Sequence, residues 1–173
     1  IALVQGRADE ADLAYISSHM RLSAGIRYIE LRMKAGQAED ELTDEEKRSC
    51  QKKIQDACSE FLKPDAAHCI MDVSGEDYDI GFVYCDCLAE EAELSEQEYF
   101  RSFLEFIKGI VNLPVIMIAG KRVQDIAEIA KSYSSACILR SCLGFQEQKE
   151  ICIYEEDIQV NTAKTVLCKE SLD

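Results

Sequence analysis

The chain has 173 residues, 47% of them apolar, with 8 glycines and only 2 prolines, a globular composition with room for one domain and its own core. Its formal net charge is -14, and its densest basic spots are pairs: Lys47-Arg48, Lys52-Lys53 and Lys121-Arg122. That balance repels phosphate and anionic lipid, so direct nucleic-acid contact by this segment is excluded, and no apolar run reaches the length of a membrane span.

In chain order, residues 8–22 carry apolar residues at helical spacing. IRYIELRMK, residues 26–34, alternates Ile29, Leu31 and Met33 with Tyr28, Glu30 and Arg32, which predicts a strand with one buried face. On that reading Glu30 and Arg32 form an exposed pair on the other face. Thr43 to Glu46 reads as a capping box and opens a helix with Cys50, Ile54, Ala57, Cys58 and Phe61 on one side. Lys63-Pro64-Asp65 stops it. HCIMDV and YDIGFVYC then predict a hairpin around Ser74-Gly75-Glu76-Asp77. The acidic run 86–98 reads as a solvated loop and helix start.

Ser95 to Glu98 is a second capping box, followed by a stripe of Tyr99, Phe100, Phe103, Leu104, Ile107 and Ile110. Leu113 to Ala119 is a strand ended by Gly120. A helix carrying Ile126, Ile129, Ala130, Tyr133 and Cys137 follows and ends near Gly144. Tyr133 reads as a core residue. Residues 151–157 form the last strand, and the rest is polar. The order β-α-β-β-α-β, then α-β, predicts an α+β fold. It is a ferredoxin-like core extended by one helix and one strand, with the helices on one face of a mainly antiparallel sheet.

Nine cysteines, an odd number scattered among apolar positions, fit a reducing cytosol better than a disulfide framework. Cys85-Asp86-Cys87 could offer a metal-ligand pair, but no second Cys/His pair stands at a zinc-like distance, so these read as ordinary core or surface cysteines. No signal peptide is visible. The first residue is Ile, which predicts an excised piece of a longer protein.

The element order, the hairpin and the block Gly120, Val123, Ile126, Ile129, Ser132, Tyr133, Ala136 followed by 151–157 carry a resemblance. The chain resembles GGDEF domains, and more closely the degenerate GGDEF-like middle domains of AraC-type response regulators and of PucR/CdaR-type bacterial transcription regulators. LVQG, Leu3 to Gly6, resembles the phrase that opens such domains. The resemblance implies an N-terminal linker and helix over 1–22, a GGDEF-like regulatory domain over 23–158 and a C-terminal linker over 159–173.

An active cyclase of that family holds two divalent ions on carboxylates. Here the signature reads Ser74, Gly75, Glu76, Asp77, Tyr78, with a serine in place of the first glycine and the acids exchanged. On the first strand Glu30 stands for the metal-binding aspartate, and Arg32 stands where a second acid is common. The resemblance therefore implies a domain with no catalytic residues, no metal and no cofactor. Glu30, Ser74, Gly75, Glu76 and Asp77 then line a degenerate ligand cleft. The expected function is cytoplasmic signal relay in a transcription regulator, between a receiver and a helix-turn-helix module outside this chain, with a homodimer as one route. A nucleotide- or metabolite-binding sensor that keeps the cleft is the alternative, and an active diguanylate cyclase the least favoured reading.

Overall fold

The computed structural model describes residues 9–19, 25–33, 42–62, 70–72, 80–111, 114–142 and 149–158. After helix α1, Glu10–His19, the chain enters a five-stranded sheet. Its strands are β1 (Ile26–Met33), β2 (Ile70–Asp72), β3 (Ile80–Cys85), β4 (Val115–Ala119) and β5 (Ile151–Ile153), in spatial order β2-β3-β1-β4-β5. β1 runs antiparallel to both β3 and β4, β2 antiparallel to β3, and β5 parallel to β4. The class is α+β, and the sheet is mixed because α5, Ile129–Cys142, returns the chain for a parallel pairing.

Both capping boxes form. The Thr43 N–H donates to Glu46 Oε2 at 2.7 Å and the Glu46 N–H to Thr43 Oγ1 at 3.2 Å, opening α2, Asp44–Leu62. Ser95 and Glu98 repeat the exchange at 2.9 and 3.2 Å and open α4, Glu96–Val111. α2 and α4 pack together and bury Ile54, Ala57, Cys58, Phe100, Phe103, Leu104 and Ile107. Phe103 meets Phe82 of β3 edge-on at 5.0 Å and Phe61 of α2 at 4.7 Å. Such pairs add about 0.5–1.5 kcal/mol each beyond area burial. The stripe of α4 ends on Val111 instead of Ile110, which is 40% exposed.

β1 is the central strand, and neither of its faces is open. Side chains alternate along a strand, so Ile29 shares the α2/α4 face with Phe82, its partner in register. Tyr28 and Glu30 point the other way and are buried under α5. The expected exposed pair of Glu30 and Arg32 is therefore corrected: Glu30 is 1% exposed and bonded to Arg140 of α5. Helices on one face only is corrected with it. A polar residue at alternate positions suggested solvent, while the true cover comes from a helix a hundred residues away.

Three local readings change as well. Within 86–98 a short helix α3, Asp86–Glu91, buries Leu88 and Ala89. Ile126 belongs to a 3-10 turn, Ile126–Glu128, capped by Asp125, and the buried face of α5 is Ile129, Ser132, Ser135, Ala136 and Leu139. The last strand is only three residues, and 154–158 is helical. No described helix is long and apolar enough to cross a membrane.

Candidate functional site

Of the five cleft residues expected from the sequence, Ser74, Gly75, Glu76 and Asp77 lie outside the described residues, as does Tyr78. The strands on either side of that turn do pair, with Asp72 opposite Ile80 and Ile70 opposite Phe82. Glu30 sits mid-strand, opposite Gly81 on one side and Ile118 on the other. Its Oε1 accepts from Arg140 Nη1 at 2.8 Å, while its Oε2 is buried with no partner among the described residues. Two residues earlier on the same face the Tyr28 hydroxyl is also buried with no partner among the described residues, and its ring stands edge-on to Tyr133 at 5.0 Å. Burial, with the Glu30 charge adding to it, pushes the Tyr28 phenol far above its ordinary value, so the group is a permanent donor. Glu30 is thus enclosed between the sheet and α5, held by a cation.

The Gly120–Ala136 block is what seats α5. Regular pairing of β1 with β4 ends at Ile29 opposite Ala119, and one bridge resumes it at Ile26 opposite Val123. Arg27 and Tyr28 thus face Gly120, Lys121 and Arg122, a bulge of one residue. At the bulge the Gly120 carbonyl turns to Arg27 Nη1 at 2.8 Å, and the Tyr28 N–H is left without its ladder acceptor. Ser132 Oγ fills that place, accepting the Tyr28 N–H at 2.9 Å. Ser135 Oγ accepts the Lys121 N–H at 2.6 Å and donates to the Ser132 carbonyl at 2.7 Å. A Cβ on Gly120 would fall 2.7 Å from Ser132 Oγ and closer still to the Ser132 carbonyl oxygen. Only glycine admits the helix at this distance.

A second polar centre, unforeseen in the sequence, lies at the end of the sheet where β1 begins and β3, β4 and β5 end. Arg27, 5% exposed, donates from Nη1 to Glu155 at 2.7 Å and pairs through Nη2 with Glu96 at 3.0 Å. Arg122 holds Glu96 at 2.7 Å through Nη1 and Asp86 through Nη2, and its backbone N–H donates to Glu155 Oε1 at 2.8 Å. Gly25, at φ 81, passes so close that any side chain would strike Asp86 and Arg122. Five charged side chains thereby tie β1, α3, α4, the loop after β4 and the turn after β5. The one signal in the sequence was Arg27, in step with the apolar positions Ile29, Leu31 and Met33, since Arg122 read only as part of a basic pair.

Burial alone would raise the Glu155 carboxyl, but the Arg122 N–H and the Arg27 guanidinium outweigh it and hold it below its ordinary 4.5. Hydrogen bonds from Thr43, Ser95 and Lys108 lower Glu46, Glu98 and Glu150 in the same sense. Each carboxyl titrates lower folded than unfolded. The stability it contributes is therefore complete above the ordinary value and is lost as pH falls through the lowered one. The thermal midpoint is expected to fall steadily from about pH 5 to about pH 3. A midpoint flat or rising over that interval in a calorimetric pH series contradicts this linkage.

At the end of β3 the structure sets the sulfur atoms of Cys85 and Cys87 against each other as a disulfide pair, with Cα atoms 5.5 Å apart, inside the range that a bridge spans. This corrects the reading of both as ordinary cysteines. Cys50, Cys58, Cys137, Cys142 and Cys152 are free thiols. Against this geometry, the comparisons add no relative: no family profile matches the chain, and no curated protein matches it significantly.

Proposed function

We propose that this chain is a non-catalytic relay domain of a bacterial transcription regulator of the AraC-type response-regulator kind. It works in the cytoplasm between a receiver and a helix-turn-helix DNA-binding module, either within one chain or through a homodimer. The observation that carries the reading is the place of Glu30. The acid that stands for the metal-binding aspartate is enclosed beneath α5 and bonded to Arg140. Mg²⁺ needs an open octahedral shell of oxygens at about 2.0–2.1 Å, and a carboxylate that a guanidinium already holds does not fit it. The Gly120–Ala136 block supports the same reading, because its residues spend their chemistry on docking a helix. The charge of -14 supports leaving DNA contact to another module.

The chain incubated with GTP and Mg²⁺ or Mn²⁺ is expected to give no cyclic di-GMP above a protein-free control, read by chromatography. Product formed in proportion to protein would overturn the reading. Titration calorimetry with GTP and cyclic di-GMP is expected to show no heat, and a saturable isotherm would favour the sensor alternative.

A further inference from the structure

The Cys85-Asp86-Cys87 bridge closes a loop around a single residue. The chain entropy that a disulfide removes from the unfolded state grows with the loop it closes, so this bridge stands at the low end of that stabilisation. Its position is chemically informative instead. Cys85 is buried at the end of β3, whereas Cys87 is only half-buried in the first turn of α3, so Cys87 is the more exposed of the two residues. The free thiols Cys58 and Cys152 are buried, and burial pushes them up to about 12 and about 11, which leaves them inert.

Asp86, between the two cysteines, is itself an anchor. Its N–H donates to the Gly25 carbonyl at 3.2 Å, its carboxylate accepts from the Tyr84 hydroxyl at 3.4 Å, and the same carboxylate holds Arg122. Arg122 in turn holds Glu96 and Glu155, and Glu155 lies in the turn 154–158 that precedes the C-terminal residues. The backbone that the bridge constrains is therefore the backbone that aims Asp86 into the charge centre.

We propose that Cys85 and Cys87 form a redox-active thiol–disulfide pair, exchanging with low-molecular-weight thiols and disulfides, and that its state sets the Asp86–Arg122 contact. This holds whether or not the relay reading is right. In the reducing direction a small-molecule thiolate attacks Cys87 Sγ and the Cys85–Cys87 bond breaks. Cys85 leaves as a thiolate and takes a proton from water. A second thiolate attacks the small-molecule sulfur of the mixed disulfide and releases Cys87. The sum is one protein disulfide and two thiols giving two protein thiols and one small-molecule disulfide. Oxidation by a disulfide such as oxidised glutathione is the reverse.

The test equilibrates the whole chain in buffers spanning reduced to oxidised glutathione, blocks thiols by alkylation and reads the peptide carrying Cys85 and Cys87 by mass spectrometry, with fragment ions separating Cys69. Both labels are expected to disappear together as the buffer becomes oxidising and to return in reducing buffer. Amide hydrogen exchange at Asp86 and Arg122 should be faster in the reduced form. Cys87→Ser, at a half-buried position, should keep the fold and lose the transition, and Cys85→Ser is the second variant. Two outcomes overturn the redox pair: labels on both cysteines in the most oxidising buffer, or a bridge that survives excess dithiothreitol in the folded protein. Unchanged exchange at Asp86 and Arg122 overturns the coupling.

Discussion

Arg27→Ala is expected to destabilise the protein by about 3–5 kcal/mol, the range found when one member of a buried ion pair is removed. The reason is what it leaves behind. Glu96 and Glu155 lose their buried cation, the Gly120 carbonyl loses its donor at 2.8 Å, and Arg122 remains alone against three acids. Arg27→Lys should fall between, since an ammonium keeps the charge but lacks the fork that reaches Glu96 and Glu155 from two nitrogens. Urea unfolding of the three proteins checks the order. An alanine variant within about 1 kcal/mol of the parent, the usual worth of an exposed pair, would mean that the charge centre is solvated and carries little.

Gly120→Ala is expected to cost about 3 kcal/mol, the upper part of the range for overpacking, because the new methyl meets backbone. For a chain of this size that lowers the thermal midpoint by about 6–12 °C. Side chains can move aside, but the Ser132 carbonyl cannot move without lifting α5 from the sheet. Adding Ser132→Ala is therefore expected not to rescue the variant, since the carbonyl stays and the Tyr28 N–H then loses its acceptor at 2.9 Å. Rescue by that second change would place the conflict at the hydroxyl and contradict the close backbone approach.

The element order was legible because local chemistry marks it. Two capping boxes, Thr43 with Glu46 and Ser95 with Glu98, fix the starts of α2 and α4, and the apolar run IGFVYC marks β3. What stayed hidden is what distant segments decide. Tyr28 and Glu30 look like a solvent face until α5 covers them. Arg27 falls in step with the apolar face of β1, and the acids that hold it, Glu96 and Glu155, arrive from α4 and the turn after β5. The bulge that admits Ser132 into the sheet leaves no periodic signature, and α3 has only Leu88 and Ala89 to announce it. Of the candidate site, the sequence marks Glu30 as a cleft residue, but its partner, Arg140, lies 110 residues further on.

These features belong to one account. The apolar α2/α4 face makes the core, the Gly120–Ala136 block docks α5 over the second face, and the charge centre joins the start of β1 to the turn that precedes residue 159. Such an arrangement suits a domain that holds a fixed relation between what comes before it and what comes after. The encoded sequence on either side of Ile1 and Asp173 tests that claim most directly. The account predicts a receiver with an acidic phosphoacceptor pocket on the N-terminal side and a basic helix-turn-helix module on the C-terminal side. A native reading frame carrying neither module would contradict it.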